Sequence, residues 1–336
     1  MSADPELGYV YLPTGTPTND FYGGHRHGDN LFAECLICVD AETGERVWHF
    51  QGVHHGIWDY DFPCAPILAD IVVDGRTIPA VAQLSNHGFC FVFDRATGEP
   101  VWPIEERPVA QSKMPGEKTA PTQQFPTKPP PYAGQGSSDE ELIDFTPELR
   151  AEAIELLKDY TRGPLFTPPS LSRRRRGNKG TIQRPGLGGA LNWNGGAFDP
   201  ETGLLYVPSR DGITITTFYR PKDRDGKTVR YTHGGFGAAR PKGPQGLPIF
   251  KPPYSRMTAI DLSRGDHAWM KPAGIGTDAI RNHPALADLD LPALGGERRG
   301  GPIVTKTLMI CTKSPPYRSS DRTYSLLAYD KASGET

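Results

Sequence analysis

The sequence predicts an all-β protein of the β-propeller type, and three observations carry that prediction. A hairpin signature recurs along the chain. Gly and Pro number 38 and 34 among 336 residues, above average usage, which suits many short strands joined by tight turns. Helical periodicity is confined to one segment. The recurring unit is an apolar strand, an Asp, a short polar turn closed by Gly, and a return strand. It runs from Asp40 through Gly44 to Trp48, from Asp94 through Gly98 to Trp102, and from Asp261 through Gly265 to Trp269; Asp330 and Gly334 begin a fourth copy. Gly supplies the positive φ of the turn, and the Trp can bury against a neighbouring unit. Asp40 and Asp94 lie 54 residues apart, which fits one four-stranded blade with its loops.

The first strand covers residues 8–13, and a polar loop rich in oxygen ligands, 14–20, follows it. The strand at 35–40 runs into the first Asp–Gly turn. Residues from about 103 to 170 break the strand rhythm and are expected to form an insertion over one face of the propeller. It contains an extended, Pro-rich stretch at 125–131. A helix follows, with Thr146 as its cap, Pro147 in the first position and Glu148 in the first turn. Leu149, Ala153, Ile154, Leu156 and Leu157 are expected to form its inner face. The glycines at 186–189 lack the spacing of a dinucleotide fingerprint and no helical pattern follows, so they read as a tight turn entering a strand. The hairpin at 198–207 resembles that at 4–12, a second repeated blade element. Residues 220–251 read as a basic, Gly-rich loop, and residues 300–305 start the last blade. The whole chain, 1–336, is expected to be one propeller domain carrying the insertion.

A net charge of −2 and a pI near 6.5 argue against a nucleic-acid or anionic-membrane surface. The arginine run at 173–176 reads as a solvated loop. No run of about 18 apolar residues marks a membrane span, and the acidic start of the chain is not a signal peptide. Five cysteines do not suggest a disulfide framework. Cys35 and Cys38 lie in one strand, where odd spacing opposes a shared metal site; they are expected to be small buried hydrophobes.

The chemistry is placed in Val53-His54-His55-Gly56-Ile57-Trp58-Asp59-Tyr60-Asp61, which gathers two imidazoles, an indole, a phenol and two carboxylates. It follows a strand-like run and precedes Phe62-Pro63, so it reads as a loop at a strand end. A carboxylate partly desolvated by Trp58 and Tyr60 would have a raised pKa and suit a base. The competing reading is a polar turn with an aromatic plug.

Together with Thr14-Gly15-Thr16-Pro17, Tyr22-Gly23-Gly24-His25-Arg26, Gly28-Asp29-Asn30-Leu31-Phe32, Val92-Phe93-Asp94-Arg95, Thr167-Pro168-Pro169-Ser170, Asn192-Trp193 and the Trp repeats, this loop resembles the pyrroloquinoline quinone (PQQ) dependent dehydrogenases, closest to their membrane-type glucose dehydrogenase branch. The resemblance implies an eight-bladed quinoprotein propeller, of which this chain would hold about half. The missing half would then come from a longer chain. It implies PQQ near the central axis with a Ca²⁺ or Mg²⁺ ion beside the quinone. By motif position Asp59 looks like the catalytic base and a metal ligand, and Thr16 or Thr18 falls in a metal-ligand loop. Asn86 stands where the family mostly has a Lys bonding PQQ; His87 beside it would point to the other face by strand alternation. Asn192 and Trp193 fall where relatives contact the cofactor. The implied reaction is oxidation of a sugar or polyol hydroxyl, with electrons passing to a quinone acceptor, in the periplasm or at its membrane. Two alternatives stay open. One is a non-catalytic propeller scaffold or inactive fragment. The other is an alcohol oxidiser, whose relatives often carry an adjacent cysteine pair that this chain lacks.

Overall fold

A computed structural model describes residues 1–172, 177–219, 232–233, 243–296, 298–314 and 324–336. The arginine run at 173–176 and most of the stretch at 220–242 lie outside the described residues. Among the described residues, four antiparallel sheets of three or four strands succeed one another along the chain, as in a propeller. The first is a meander of four strands, β1 Ser2–Asp4, β2 Tyr9–Pro13, β3 Cys35–Asp40 and β4 Arg46–Gln51. The second has three, β5 Ile67–Val73, β6 Arg76–Leu84 and β7 Cys90–Asp94. Its return edge is reduced to an isolated bridge between Phe93 and Pro100, because Pro100 has no N–H to extend the ladder. The third sheet joins Ala197–Asp199, Leu204–Arg210, Ser255–Asp261 and Asp266–Pro272. In the fourth, Leu308–Ser314 pairs with Arg298–Arg299 and Ile303–Val304 on one side and with Ser325–Asp330 on the other. The expectation of a strand opening this blade at 300–305 is met by Ile303–Val304.

Each sheet packs its apolar face on the next. Tyr11, Leu36, Cys38 and Trp48 of the first meet Val81, Phe91 and Phe93 of the second. Ile71, Ala82 and Val92 of the second meet Leu205, Val207 and Ile260 of the third. Tyr206, Met257 and Ala259 then meet Met309, Cys311 and Tyr329 of the fourth. The five cysteines are free and buried.

The Asp–Gly turns have one geometry. Asp40, Asp94, Asp261 and Asp330 each accept two backbone N–H groups of their own turn on Oδ1. Gly44, Gly98, Gly265 and Gly334 close the turns at φ of +73°, +79°, +65° and +72°. The Trp of one repeat lies on the Gly of the next. A Cβ on Gly98 would stand 2.7 Å from Trp48, one on Gly265 2.8 Å from Trp102, and one on Gly334 2.8 Å from Trp269. Around that contact two interfaces repeat atom for atom. The Trp48 and Trp269 indoles donate to the carbonyls of Arg95 and Lys331 at 3.2 and 3.1 Å. Tyr11 and Tyr206 donate to the same two carbonyls at 2.9 and 3.1 Å. The Arg95 and Lys331 cations reach back to Asp4 and Asp199, each at 2.5 Å.

Between the second and third sheets the chain makes its excursion. A hairpin of Ile104–Pro108 and Thr122–Pro126 precedes the helix α1, Pro147–Leu157. The Thr146 hydroxyl accepts the Leu149 N–H at 3.3 Å and Pro147 opens the helix, as expected. Its buried face is narrower than the sequence suggests: Leu149, Ala153 and Leu157 are inside, whereas Ile154 and Leu156 are exposed. Those two project beyond the side that packs on Leu247, Ile249 and Phe250.

The repeated Trp–Gly contact is testable with two glycines of like conformation. Gly44 has nothing within 4 Å of a would-be Cβ, while Gly98 faces Trp48. Gly44→Ala is expected to cost about 1 kcal/mol, the penalty of a left-handed Ala. Gly98→Ala is expected to cost about 1–3 kcal/mol more, from overpacking. Denaturant melts of the two variants measure the difference.

Candidate active site

The loop 52–66 joins β4 to β5, the strand-end position the sequence indicates. Its aromatic residues anchor it. The Trp58 indole donates to the Thr167 carbonyl and the Tyr60 hydroxyl to the Pro185 carbonyl, both at 3.0 Å, and each side chain is 1% exposed. The Trp58 carbonyl accepts from the Gln183 amide. The aromatic plug of the simpler reading is therefore present: the Trp58 and Tyr60 rings lie nearly parallel with centroids 6.4 Å apart, and the two anchored residues flank Asp59 in the chain. Asp59 is partly buried, at φ +60°, a conformation that costs energy for a residue other than Gly. Among the described residues no hydrogen-bond donor reaches its carboxylate. Burial, then the charges of Asp61 and Asp20, push its pKa up to about 7.

Asn86 closes one side of this site. Its backbone N–H donates to the Asp61 carbonyl at 2.9 Å and its amide approaches the Asp59 carbonyl at 3.5 Å. Its side-chain oxygen Oδ1 is buried with no partner. The turn at 186–190 lies over it: Ala190 N–H donates to the Asn86 carbonyl at 2.8 Å, and a Cβ on Gly189 would stand 2.4 Å from Oδ1. The same turn leads to Asn192, whose amide donates to the Gly188 carbonyl at 3.3 Å and accepts the Trp193 N–H at 2.8 Å. Trp193 is 81% exposed, an open aromatic face. The structure thus brings Asp59, Asn86 and the 188–193 turn together. Asn86 and His87 lie in the turn that joins β6, ending at Leu84, to β7, starting at Cys90, so the strand alternation expected of them does not apply; the His87 ring packs into the aromatic core. Both its ring nitrogens are unpartnered among Tyr60, Phe89 and Phe166, and burial holds its pKa at about 3.

The other candidate ligands are more committed. The Thr16 N–H donates to Asp61 Oδ1 at 2.6 Å and its hydroxyl to Glu34 Oε1 at 2.8 Å. Thr18 is exposed on the same loop. Among the described residues no three His, Cys, Asp or Glu side chains form a metal-holding group.

Three acidic residues escape a reading of the sequence. Glu34 is fully buried and carries Oε2 without a hydrogen bond of ordinary geometry; burial and the Asp61 charge push its pKa up to about 8 against the opposing Thr16 bond. Its one signal was a carboxylate in an apolar run. Glu106 and Glu117, from the insertion, take the two histidines. His54 Nε2 lies 2.9 Å from Glu106 and His55 Nε2 lies 2.8 Å from Glu117. Their distance along the chain hides this pairing.

With the geometry in place, comparison settles the family. The family model for PQQ-type glucose/ethanol/alcohol dehydrogenases, β-propeller domain, matches residues 1–336. The chain belongs to this family. It is 29% identical over its whole length to a quinate/shikimate dehydrogenase (quinone) of Acinetobacter baylyi, covering 42% of that protein. It is 30% identical to a quinoprotein glucose dehydrogenase of Escherichia coli, over 99% of this chain and 42% of the relative. A glycerol dehydrogenase large subunit of Gluconobacter oxydans is 30% identical, over 91% of this chain and 44% of the relative. The quinohemoprotein alcohol dehydrogenase of Comamonas testosteroni shares the fold, with a TM-score of 0.55 and 19% identity over 99% of this chain and 39% of that one. The chain thus spans about two fifths of the relatives it matches. Among the described residues no helix is long and apolar enough to cross a membrane.

The His55–Glu117 pair, both side chains 1% exposed, gives a pH signature. The bond to Glu117 raises the His55 pKa above 6.5, burial opposing it. Burial raises Glu117, but the bonds from His55 and the Gly23 N–H outweigh it and hold its pKa below 4.5. The histidine's contribution is complete below pH 6.5 and is lost as pH rises through its elevated pKa. The glutamate's contribution is complete above pH 4.5 and is lost as pH falls. Glu117→Gln is therefore expected to destabilise by about 3 kcal/mol near pH 5–6. The deficit should shrink above neutrality, as read by urea melts across pH.

Proposed function

We propose that this chain carries the proton-accepting side of a PQQ site in a dehydrogenase that oxidises a sugar or polyol hydroxyl. The observation that carries the reading is Asp59: a carboxylate held in a left-handed backbone by two anchored aromatics, with no donor on its oxygens. A base needs those free lone pairs and a pKa near the working pH. Asp59 accepts the proton of the substrate hydroxyl.

The residues present fit the cofactor in kind. The donor-free Asp59 carboxylate is a hard oxygen ligand of the sort Ca²⁺ or Mg²⁺ takes, and Asn86 beside it keeps a buried Oδ1 without a partner, packed against Gly189. Thr16 and Thr18 lie on the adjoining loop, though the Thr16 hydroxyl already serves Glu34. The exposed face of Trp193 offers a planar ring a stacking surface, and Asn192 shapes the turn that presents it. A bound PQQ would supply the hydride acceptor, and a metal ion beside it would supply a Lewis acid. Asn86 supplies a neutral amide toward the cofactor where a Lys would supply charge. A quinone electron acceptor, supported by a relative named as quinone-linked, completes the reading, together with the periplasmic or membrane-associated setting that the family resemblance implies.

Two measurements test it. The protein reconstituted with PQQ and Ca²⁺ is expected to melt at a higher temperature than without them; an unshifted melt would favour a scaffold. With sugars, polyols and simple alcohols as donors to a redox dye, Asp59→Asn is expected to lower kcat by about 10²–10⁴-fold while keeping the PQQ-induced shift. Retained turnover would sink the assignment, and preference for simple alcohols would move the chain to the alcohol-oxidising group.

A further inference from the structure

We infer that Glu34 is a positioning residue for Asp59, placed to set the geometry of the proton acceptor at a cost to stability. This inference rests on the reading of Asp59 as the base. The argument is geometric. Glu34 precedes strand β3 and its backbone ties two loops together: its N–H donates to the Gly15 carbonyl at 3.0 Å and its carbonyl accepts the Gly52 N–H at 2.9 Å. One loop carries Thr16, and the other carries Asp59. The side chain repeats the bridge. Oε1 accepts the Thr16 hydroxyl at 2.8 Å, and the Thr16 N–H in turn holds Asp61 Oδ1 at 2.6 Å. Oε2 sits against Gly56, where a Cβ would come within 1.8 Å of it. The carboxyl therefore fills the place of a side chain at 56, inside the loop that presents Asp59.

The backbone bonds and the Thr16 hydroxyl favour the fold, but the conformation and burial of the carboxyl oppose it. Glu34 lies at φ +51°, where Gly is cheaper. Its carboxyl is fully buried and Oε2 has no hydrogen bond of ordinary geometry, an arrangement that burial penalises; the Tyr60 backbone N–H and the Arg26 charge offset only part of that penalty. The nearby Arg26 does not close the gap, since its guanidinium donates to the carbonyls of Asn19 and Gly56, both at 3.0 Å. A residue selected for stability at this position would be Gly or a small apolar side chain. A strained, buried, half-partnered carboxyl joined to the loop of the base marks a stability–activity trade.

The test uses the PQQ-reconstituted protein and reads stability and turnover separately. Glu34→Gly is expected to raise the melting temperature while lowering kcat at least 10-fold, with the KM of the donor changed less than twofold. Glu34→Gln, which keeps an acceptor for the Thr16 hydroxyl, is expected to hold kcat within about threefold. Gly56→Ala is expected to be poorly tolerated beside Glu34 and relieved when combined with Glu34→Gly. A lower melting temperature or failure to fold in Glu34→Gly would overturn the inference, as would a kcat within twofold of the parent or a Glu34→Gln as slow as Glu34→Gly. Asp59→Asn run in parallel separates the two readings. If it keeps turnover, the assignment of the base fails. If it loses turnover while Glu34→Gly does not, only the role of Glu34 fails.

Discussion

The contact on which the rest of the fold depends is a tryptophan laid on the glycine of the next repeat. It joins what a meander cannot join by itself. Each sheet satisfies its own backbone hydrogen bonds but leaves an apolar face open, and that face needs a neighbour. The Asp–Gly turn presents a flat, side-chain-free surface because its Gly has no Cβ. Trp48 and Trp269 cover that surface and spend their indole N–H on a turn carbonyl, so that a buried donor is satisfied as the ring is buried. Tyr11 and Tyr206 bond the same carbonyls from their own blades. The ion pairs Asp4–Arg95 and Asp199–Lys331 then fix the rotation of one sheet on the next. Sequence repetition becomes repetition of interfaces, and the loops between the sheets inherit fixed positions from it.

The candidate site lies in such loops and holds features that would not persist without that support. Glu34, His55 and Asp59 all adopt positive φ. Two carboxyls, those of Asp59 and Glu34, sit where burial opposes their charge. Each feature is unfavourable alone, at about 1–3 kcal/mol for backbone strain of this kind. They persist because the surrounding packing over-determines the loop: Trp58 and Tyr60 are pinned to the chain at 167 and 185, and Asn86 is pinned between Asp61 and the turn at 190.

Much of this was legible in the chain, and the boundary of what was not has a physical cause. The turns were legible because Asp, Gly and Trp recur at short spacing, where local hydrogen bonds dictate the conformation. The loop at 53–61 was legible because strand, loop and proline follow one another directly. The ion pairs between blades were not, since Asp4 and Arg95 are 91 residues apart and Asp199 and Lys331 132. The helix was legible from its cap, but its buried side was overestimated: apolar Ile154 and Leu156 lie beyond what the insertion covers. The second sheet was expected to have four strands; Pro100 reduces its return edge to a bridge. Asn86 lies between the Asp59 carbonyl and the turn at 189–190 that leads to Asn192 and Trp193, a proximity that no single stretch of sequence announces. The chain of contacts from Glu34 through Thr16 to Asp61 is assembled by three separate loops, and no local pattern announces it.

The two histidines show how such a chain can mislead. By residue type His54 and His55 are the obvious acid–base candidates of the loop. The structure gives each an anchoring role: His54 between Gln51 and Glu106, His55 between the Gly28 carbonyl and Glu117. Both glutamates come from the insertion, which therefore does more than cover a face. It clamps the start of the loop, while Thr167 at its far end holds Trp58. An imidazole bonded on both nitrogens cannot readily exchange a proton with a substrate. Asp59 keeps its oxygens free of donors because the groups around it are already engaged. The loop is anchored at its histidines, and among the described residues the Asp59 carboxylate is left without a donor.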